Sequence, residues 1–193
     1  MKYYCINMKH AAERRTHCQQ QFERAGLDVT FVSGFDGRAS QLTHNIDWVS
    51  KGVGCFISHY TVLEEIRHNR YGVTVIFEDD VILPDGFAET MGTVLEQLPA
   101  GWQVAALNYE NDNAEVVSVN DTWQQSLSGQ IWRTGAYVVN GYEAAENILN
   151  HILPINLPID RALWEAARDK RVAGYFIKQP ICAHADHFAT QIY

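Results

Sequence analysis

The sequence predicts a three-layer α/β domain, a largely parallel sheet covered by helices on both faces. Three observations lead there. Apolar segments of strand length alternate with segments of helical period along the whole chain. One of them, Val73-Thr74-Val75-Ile76-Phe77, is almost continuously apolar and β-branched, the pattern of a strand buried on both faces. The chain also opens as strand, helix, strand, the unit that sets neighbouring strands parallel.

Tyr3 to Asn7 reads as the first strand. Glu13 to Ala25 follows as a helix, with Cys18, Phe22 and Ala25 on one stripe and Gly26 as its stop. Val29 to Ser33 is the second strand, ending in a turn at Gly34-Phe35-Asp36-Gly37-Arg38. Residues 39–53 are polar and read as irregular. Phe56, Tyr60, Leu63 and Ile66 give residues 55–69 a helical period. After the central strand 73–77, Phe87, Met91, Val94 and Leu98 mark a helix stopped by Pro99. Trp102 to Leu107 is a strand, residues 108–130 are polar and loop-like, and Tyr137 to Val139 is strand-like again. Glu143 to Ile152 and Arg161 to Lys170 read as helices, and Val172 to Ile177 as the last strand.

A chain of 193 residues suits one domain, 1–193. Its 47% hydrophobic and 20% charged residues supply a full core and argue against disorder. No apolar run approaches the roughly 20 residues of a membrane-spanning helix, and the N-terminus is too short and polar for a secretory signal. The expectation is a cytoplasmic protein with at most peripheral contact at the inner face of a membrane. The four cysteines, Cys5, Cys18, Cys55 and Cys182, form no C-x-x-C pair and suit neither a zinc knuckle nor a disulfide scaffold. Cys5 and Cys55 have apolar neighbours and read as small core residues. Net charge is −8, with residues 1–40 at +2 and the remainder at −10. Nucleic acid is a poor partner for such a surface; a small phosphorylated ligand near the N-terminal portion is not.

Glu78-Asp79-Asp80 follows the central strand directly. Ligands of open α/β sheets bind beyond the carboxyl ends of strands, and in an extended chain Glu78 and Asp80 point to the same side. Two converging carboxylates repel unless a cation lies between them, and hard oxygen donors suit Mg²⁺ or Mn²⁺. A solvated acidic turn is the plainer alternative. Asn7 ends the first strand and Arg14 and Arg15 open the first helix, so they share that edge, where arginine can pair with phosphate; a solvated helix face is the plainer reading of the two arginines. Asp36-Gly37-Arg38 is a turn that could hold a nucleoside, and Ser58 and His59 are either a core-facing pair or a pocket wall. No nucleophile elbow, phosphate-binding glycine loop or zinc motif is present.

Taken in order, several segments together resemble glycosyltransferase family 25. They are Tyr4-Cys5-Ile6-Asn7-Met8-Lys9 with Glu13-Arg14-Arg15, Asp36-Gly37-Arg38, and Gly54-Cys55-Phe56-Ile57-Ser58-His59. Phe77-Glu78-Asp79-Asp80-Val81, Thr134-Gly135-Ala136-Tyr137 and Pro158-Ile159-Asp160 follow. That family includes bacterial lipooligosaccharide galactosyltransferases and collagen galactosyltransferases. The resemblance implies a GT-A fold, a UDP-sugar donor, a divalent metal that is usually Mn²⁺, and inversion at the anomeric carbon. It makes Glu78, Asp79 and Asp80 the acidic metal motif. Asn7, Arg14 and Asp36 would lie at the nucleotide end, and Ser58 and His59 would start the helix bordering the donor pocket. Asp160 falls where a carboxylate borders the acceptor. The chain is shorter than most members, which leaves residues 108–133 to supply much of the acceptor site. It also lacks the basic segment that would hold it on an anionic membrane.

The expected reaction is a metal-dependent, inverting transfer of a hexose, galactose first, onto a glycan hydroxyl such as that of lipooligosaccharide. Asp160 is the candidate base, at the start of a helix whose first turn favours an acid; Asp79 is counted with it as catalytic. Glu78 and Asp80 would ligate the metal, with room for a third ligand from His187 or, next, His184, since Mn²⁺ accepts imidazole more readily than Mg²⁺ does. Two alternatives stay open: a silent nucleotide-sugar-binding domain, and a metal-dependent phosphotransferase, for which Glu78 is a poor nucleophile.

Overall fold

Side chains alternate along the central strands, so a strand apolar at every position feeds two cores at once. The computed structural model, which describes residues 1–37, 50–128, 130–185 and 188, shows this division. Its elements are β1 (Lys2–Asn7), α1 (Ala12–Arg24), β2 (Thr30–Ser33), α2 (Ser50–His68), β3 (Val73–Glu78), β4 (Val81–Ile82), α3 (Phe87–Leu95) and β5 (Val104–Ala106). There follow β6 (Glu110–Asp112), β7 (Val116–Ser118), β8 (Trp123–Ser126), β9 (Gln130–Trp132), β10 (Ala136–Asn140), α4 (Gly141–Ile152), α5 (Ile159–Arg168), β11 (Gly174–Ile177) and β12 (Ala183–His184).

Eight strands form one sheet in the order β2-β1-β3-β10-β5-β11-β8-β7. β1 is parallel to β2 and β3, and β11 to β5, while β10 runs antiparallel between β3 and β5. Tyr4, Ile76, Val104, Tyr137 and Val139 face α2, α4 and α5, where they meet Phe56, Leu63, Ile148 and Leu163. Cys5, Val75, Phe77, Ala105 and Val138 face the other way, onto Cys18 and Phe22 of α1 and Phe87 and Met91 of α3. The three-layer reading holds.

Three local readings are corrected. Residues 108–130, expected to be loop, carry β6, β7 and β8, and β7 and β8 extend the main sheet as an antiparallel pair. Polar residues hide the alternation there, and the register is pinned by Trp123, which is fully buried and donates its indole N–H to the Val94 carbonyl. The turn before it is closed by Asn120 Oδ1, which accepts the N–H groups of Thr122 and Trp123. The second correction is that α2 begins at Ser50 rather than Cys55. The third is β12, which pairs with β4 and lays the C-terminal segment against the acidic motif. The turn residue Arg38 lies outside the described residues.

Candidate active site

The parallel strands β1, β3 and β5 end at one edge of the sheet, and antiparallel β10 begins there. The residues at those ends are Asn7, Glu78-Asp79-Asp80, Asn108 and Thr134-Gly135. Beside them lies a cavity of about 530 Å³ lined by Cys55, Glu78, Asp80, Arg133, Asp160 and His184, among others.

The acidic run divides at the end of β3: Glu78 closes the strand, and Asp79 and Asp80 form the turn into β4. Asp79 turns toward α1 and is buried, with Asn7 Nδ2 donating to its Oδ2 at 2.7 Å and Arg14 Nη2 at 2.5 Å from its Oδ1. Arg14 reaches this point because it lies one turn before Cys18 and two before Phe22 on the buried stripe of α1. The stripe expected at Cys18, Phe22 and Ala25 thus continues backward through an arginine. The same Nη2 lies 2.9 Å from Asp80 Oδ2. Burial pushes the Asp79 carboxyl above its ordinary value, against the opposing pull of Arg14 and Asn7. Asn7, Arg14 and Asp79 are not among the described residues that line the cavity; they brace the motif from below.

Asp80 lines the cavity and meets His184, whose Nδ1 is 3.3 Å from Asp80 Oδ1. The β4–β12 pairing and the Ala185 N–H donated to the Asp80 carbonyl at 2.7 Å set this approach. Gly135 makes room for it: a Cβ there would fall 2.0 Å from His184 Cε1. Asn108 fixes the imidazole's other side. Its Oδ1 accepts the Ala136 N–H, so its Nδ2 is the atom 3.1 Å from His184 Nε2. In this arrangement Nε2 accepts and Nδ1 carries the proton toward Asp80. Burial raises the Asp80 carboxyl, but His184 and Arg14 outweigh it and hold it below the usual value.

Glu78 is the second cavity carboxylate. Thr134 Oγ1 donates to its Oε1 at 2.8 Å, and His59 Nε2 lies 3.4 Å from the same oxygen. His59 is buried, and its Nδ1 is 3.0 Å from the Tyr137 hydroxyl. Burial raises the Glu78 carboxyl too, and His59 and Thr134 bring it below the ordinary glutamate value.

Ser58 serves a neighbouring purpose. Its hydroxyl donates to the Gly54 carbonyl at 2.7 Å and accepts the Phe35 N–H at 2.8 Å, holding the loop that carries Asp36 against α2. Gly54 permits that contact, since a Cβ would lie 2.7 Å from the Phe35 carbonyl oxygen. Asp36 and Ser58 are not among the described residues that line the cavity. Ser58 and His59 also lie well inside α2, not at its start.

Asp160 stands in the first turn of α5 as expected, and lines the cavity. Its Oδ1 accepts the Arg161 N–H at 2.8 Å and its Oδ2 the Arg133 N–H at 3.1 Å. Arg133 itself has φ 73°, and its guanidinium pairs with Glu110. Cys55, expected in the core, is half-buried at the cavity wall, because α2 turns that face toward the edge of the sheet. His187 lies outside the described residues. Phe188, its neighbour, packs edge-on against His17 with ring centroids 5.1 Å apart.

The sequence assigns no role to Asn108, and Thr134 and Tyr137 enter it only within a family-like segment. Asn108 carries the same signal as Glu78, a polar residue directly after a largely apolar strand.

A profile described as "Glycosyltransferase family 25 (LPS biosynthesis protein)" matches residues 1–163. The chain belongs to glycosyltransferase family 25. Among its relatives, Procollagen galactosyltransferase 1-A of Xenopus laevis is 25% identical over 97% of this chain and 33% of its own length. Inactive glycosyltransferase 25 family member 3 of Mus musculus is 26% identical over 83% of this chain and 31% of its own. The chain thus spans about a third of the length of these curated relatives. A solved glycosyltransferase involved in glycosylation of the major capsid of PBCV-1 superposes with a TM-score of 0.55 at 8% identity, covering 98% of this chain and 95% of that one. The fold is therefore the GT-A arrangement of a family 25 member. No helix among the described residues is long and apolar enough to cross a membrane.

Proposed function

We propose that this chain transfers a hexose, galactose first, from a UDP-sugar to a glycan hydroxyl with inversion, and that it needs Mn²⁺ or Mg²⁺ to do so. The observation that carries the reading is the charge of the cavity at the strand ends. Among the described residues, Glu78, Asp80 and Asp160 line it against the one guanidinium of Arg133. A diphosphate is repelled by such a wall unless a cation reverses its sign.

The donor set fits such an ion: two carboxylates open to the cavity, with the His184 imidazole beside one of them. Glu78 and Asp80 would hold it, and His184 would join them only by giving up the Nδ1 proton that it directs at Asp80. When bound, the ion supplies charge neutralisation to the departing diphosphate. The protein's own groups do the rest. Arg14 and Asn7 keep Asp79 and Asp80 in place from below, and Thr134 orients Glu78. Each Asp160 oxygen accepts one main-chain N–H and keeps a lone pair for the acceptor hydroxyl, the position of a general base. The name of the Xenopus relative supports galactose, and the family description supports a lipopolysaccharide-type acceptor.

Calorimetry of UDP binding with Mn²⁺ and with chelator tests the metal; equal affinity in both overturns it. A panel of UDP-sugars then tests turnover. Mn²⁺-dependent UDP binding without hydrolysis or transfer of any donor identifies a silent binding domain instead, the condition named in the murine relative. An α-linked product, read from its anomeric proton, overturns inversion.

A further inference from the structure

α2 and β3 place a second set of donors at the cavity wall. The Cys55 sulfur, a His59 nitrogen and a Glu78 oxygen all lie within 4.8 Å of one another. Cys55 and His59 are four residues apart on α2 and so share one face. Glu78 is the last residue of β3. We propose that Cys55, His59 and Glu78 form a cation site of their own, selective for a thiophilic divalent ion of the Zn²⁺ class.

The distances separate this reading from that of an ordinary buried histidine. His59 Nε2 is 3.4 Å from Glu78 Oε1 and 3.4 Å from Thr134 Oγ1. That is long for a hydrogen bond to a carboxylate, which runs at about 2.7–2.9 Å. It is the right length for two ligands of one tetrahedral zinc. Zn–N and Zn–O bonds of about 2.0–2.2 Å put neighbouring ligand atoms about 3.4 Å apart. The imidazole is also held as a metal ligand is held. Its Nδ1 meets the buried Tyr137 hydroxyl at 3.0 Å, so when Nε2 gives up the proton it directs at Glu78, an Nδ1–H donated to Tyr137 turns the Nε2 lone pair toward the ion.

Charge and access agree. Burial, and after it the carboxylates of Glu78, Asp160 and Asp80, raise the Cys55 thiol well above its ordinary value, which opposes the thiolate until a cation is present. The same carboxylates favour a dication, whose binding releases the thiol proton to solvent. Cys55 and Glu78 both line the cavity, which admits the ion and a solvent molecule as fourth ligand. Sulfur and imidazole donors favour Zn²⁺ over the hard ions suited to Glu78 and Asp80. One consequence rests on the function proposed above: Glu78 belongs to both donor sets, so an ion at Cys55 withdraws a ligand from the hard ion.

Co²⁺ serves as the spectroscopic probe, added to the full chain without nucleotide or acceptor. The expected result is a near-ultraviolet thiolate-to-cobalt charge-transfer band that saturates at one equivalent, is bleached by Zn²⁺ and is lost in Cys55→Ser. Tyr137→Phe should weaken Co²⁺ binding about 10–100-fold, the usual effect of removing such a supporting group. No band in the wild type, or the same band in Cys55→Ser, overturns the site. A second measurement needs no variant. Zn²⁺ should slow alkylation of Cys55 at least tenfold, as mapped by peptide mass spectrometry, while Cys5, Cys18 and Cys182 provide the comparison; unslowed alkylation also overturns it. Neither assay involves a UDP-sugar, so its failure is distinct from failure of the transferase reading.

Discussion

Asp79 and Asp80 are consecutive residues in different environments. Beneath the motif, Asp79 is sealed against α1 with Arg14 and Asn7, all of them buried. Above it, Asp80 opens on the cavity beside His184, with Glu78 on the same side. The lower region is a closed ion pair that costs desolvation and repays it through geometry. The upper region holds two carboxylates kept ionised by the protein's own groups, Arg14 and His184 at Asp80 and His59 and Thr134 at Glu78, while both remain open to the cavity. One acidic run therefore does two jobs, divided by the turn that carries the chain from β3 into β4.

The sharpest way to break this division is to remove the cation underneath. Arg14→Met keeps much of the volume and strands Asp79 in a buried position. Removing one partner of a buried pair costs about 3–5 kcal/mol. Urea unfolding should show that loss with little change in slope, and the double variant Arg14→Met, Asp79→Leu should recover much of it. A single variant within about 1 kcal/mol of the wild type would mean that Asp79 is solvated and the two regions do not differ.

Asp80→Asn probes the upper region, and its effect should fall on chemistry. Loss of a ligand to the ion that neutralises diphosphate should lower donor turnover about a hundredfold or more. The urea midpoint should move much less than in Arg14→Met. Equal losses of stability in the two variants would merge the regions.

This division was half legible beforehand. The apolar run 73–77 locates the central strand, and Glu78 and Asp80 do share the cavity, but a turn at 79–80 brings them there and not the extended chain the alternation rule assumes. Arg14 was placed near the correct edge but assigned to phosphate, because charge alone does not report that its position falls on the buried stripe of α1. The sequence favours His187 over His184 as the tail histidine at the site; β12 brings His184 there, and His187 lies outside the described residues. The roles of Asn108 and Thr134 are not legible for a physical reason. Asn108 acts through hydrogen bonds to Ala136 and His184 and Thr134 through one to Glu78, all distant in sequence, and no local period records such pairings. The strands within 108–130 were hidden because three- and four-residue strands are too short to establish alternation.

The smallest effect belongs to Thr134, at the border between the regions. Its hydroxyl is buried and donates to Glu78 Oε1 at 2.8 Å, while His59 Nε2 stands 3.4 Å away. Thr134→Val keeps the shape and deletes the donor. A net hydrogen bond of this kind contributes about 1 kcal/mol, so the urea midpoint should fall slightly. The informative readout is Mn²⁺ affinity in the presence of UDP. With Thr134 gone, Glu78 loses the donor that holds its orientation, and Mn²⁺ affinity should drop about tenfold. Ser at the same position should restore most of it, because the hydroxyl returns without the methyl group. If Val lowers stability by the expected amount but leaves Mn²⁺ affinity unchanged, the bond steadies β10 alone. Glu78 would then belong with Asp79 to the supporting region, and Asp80 would remain as the carboxylate on the cavity side that serves the ion.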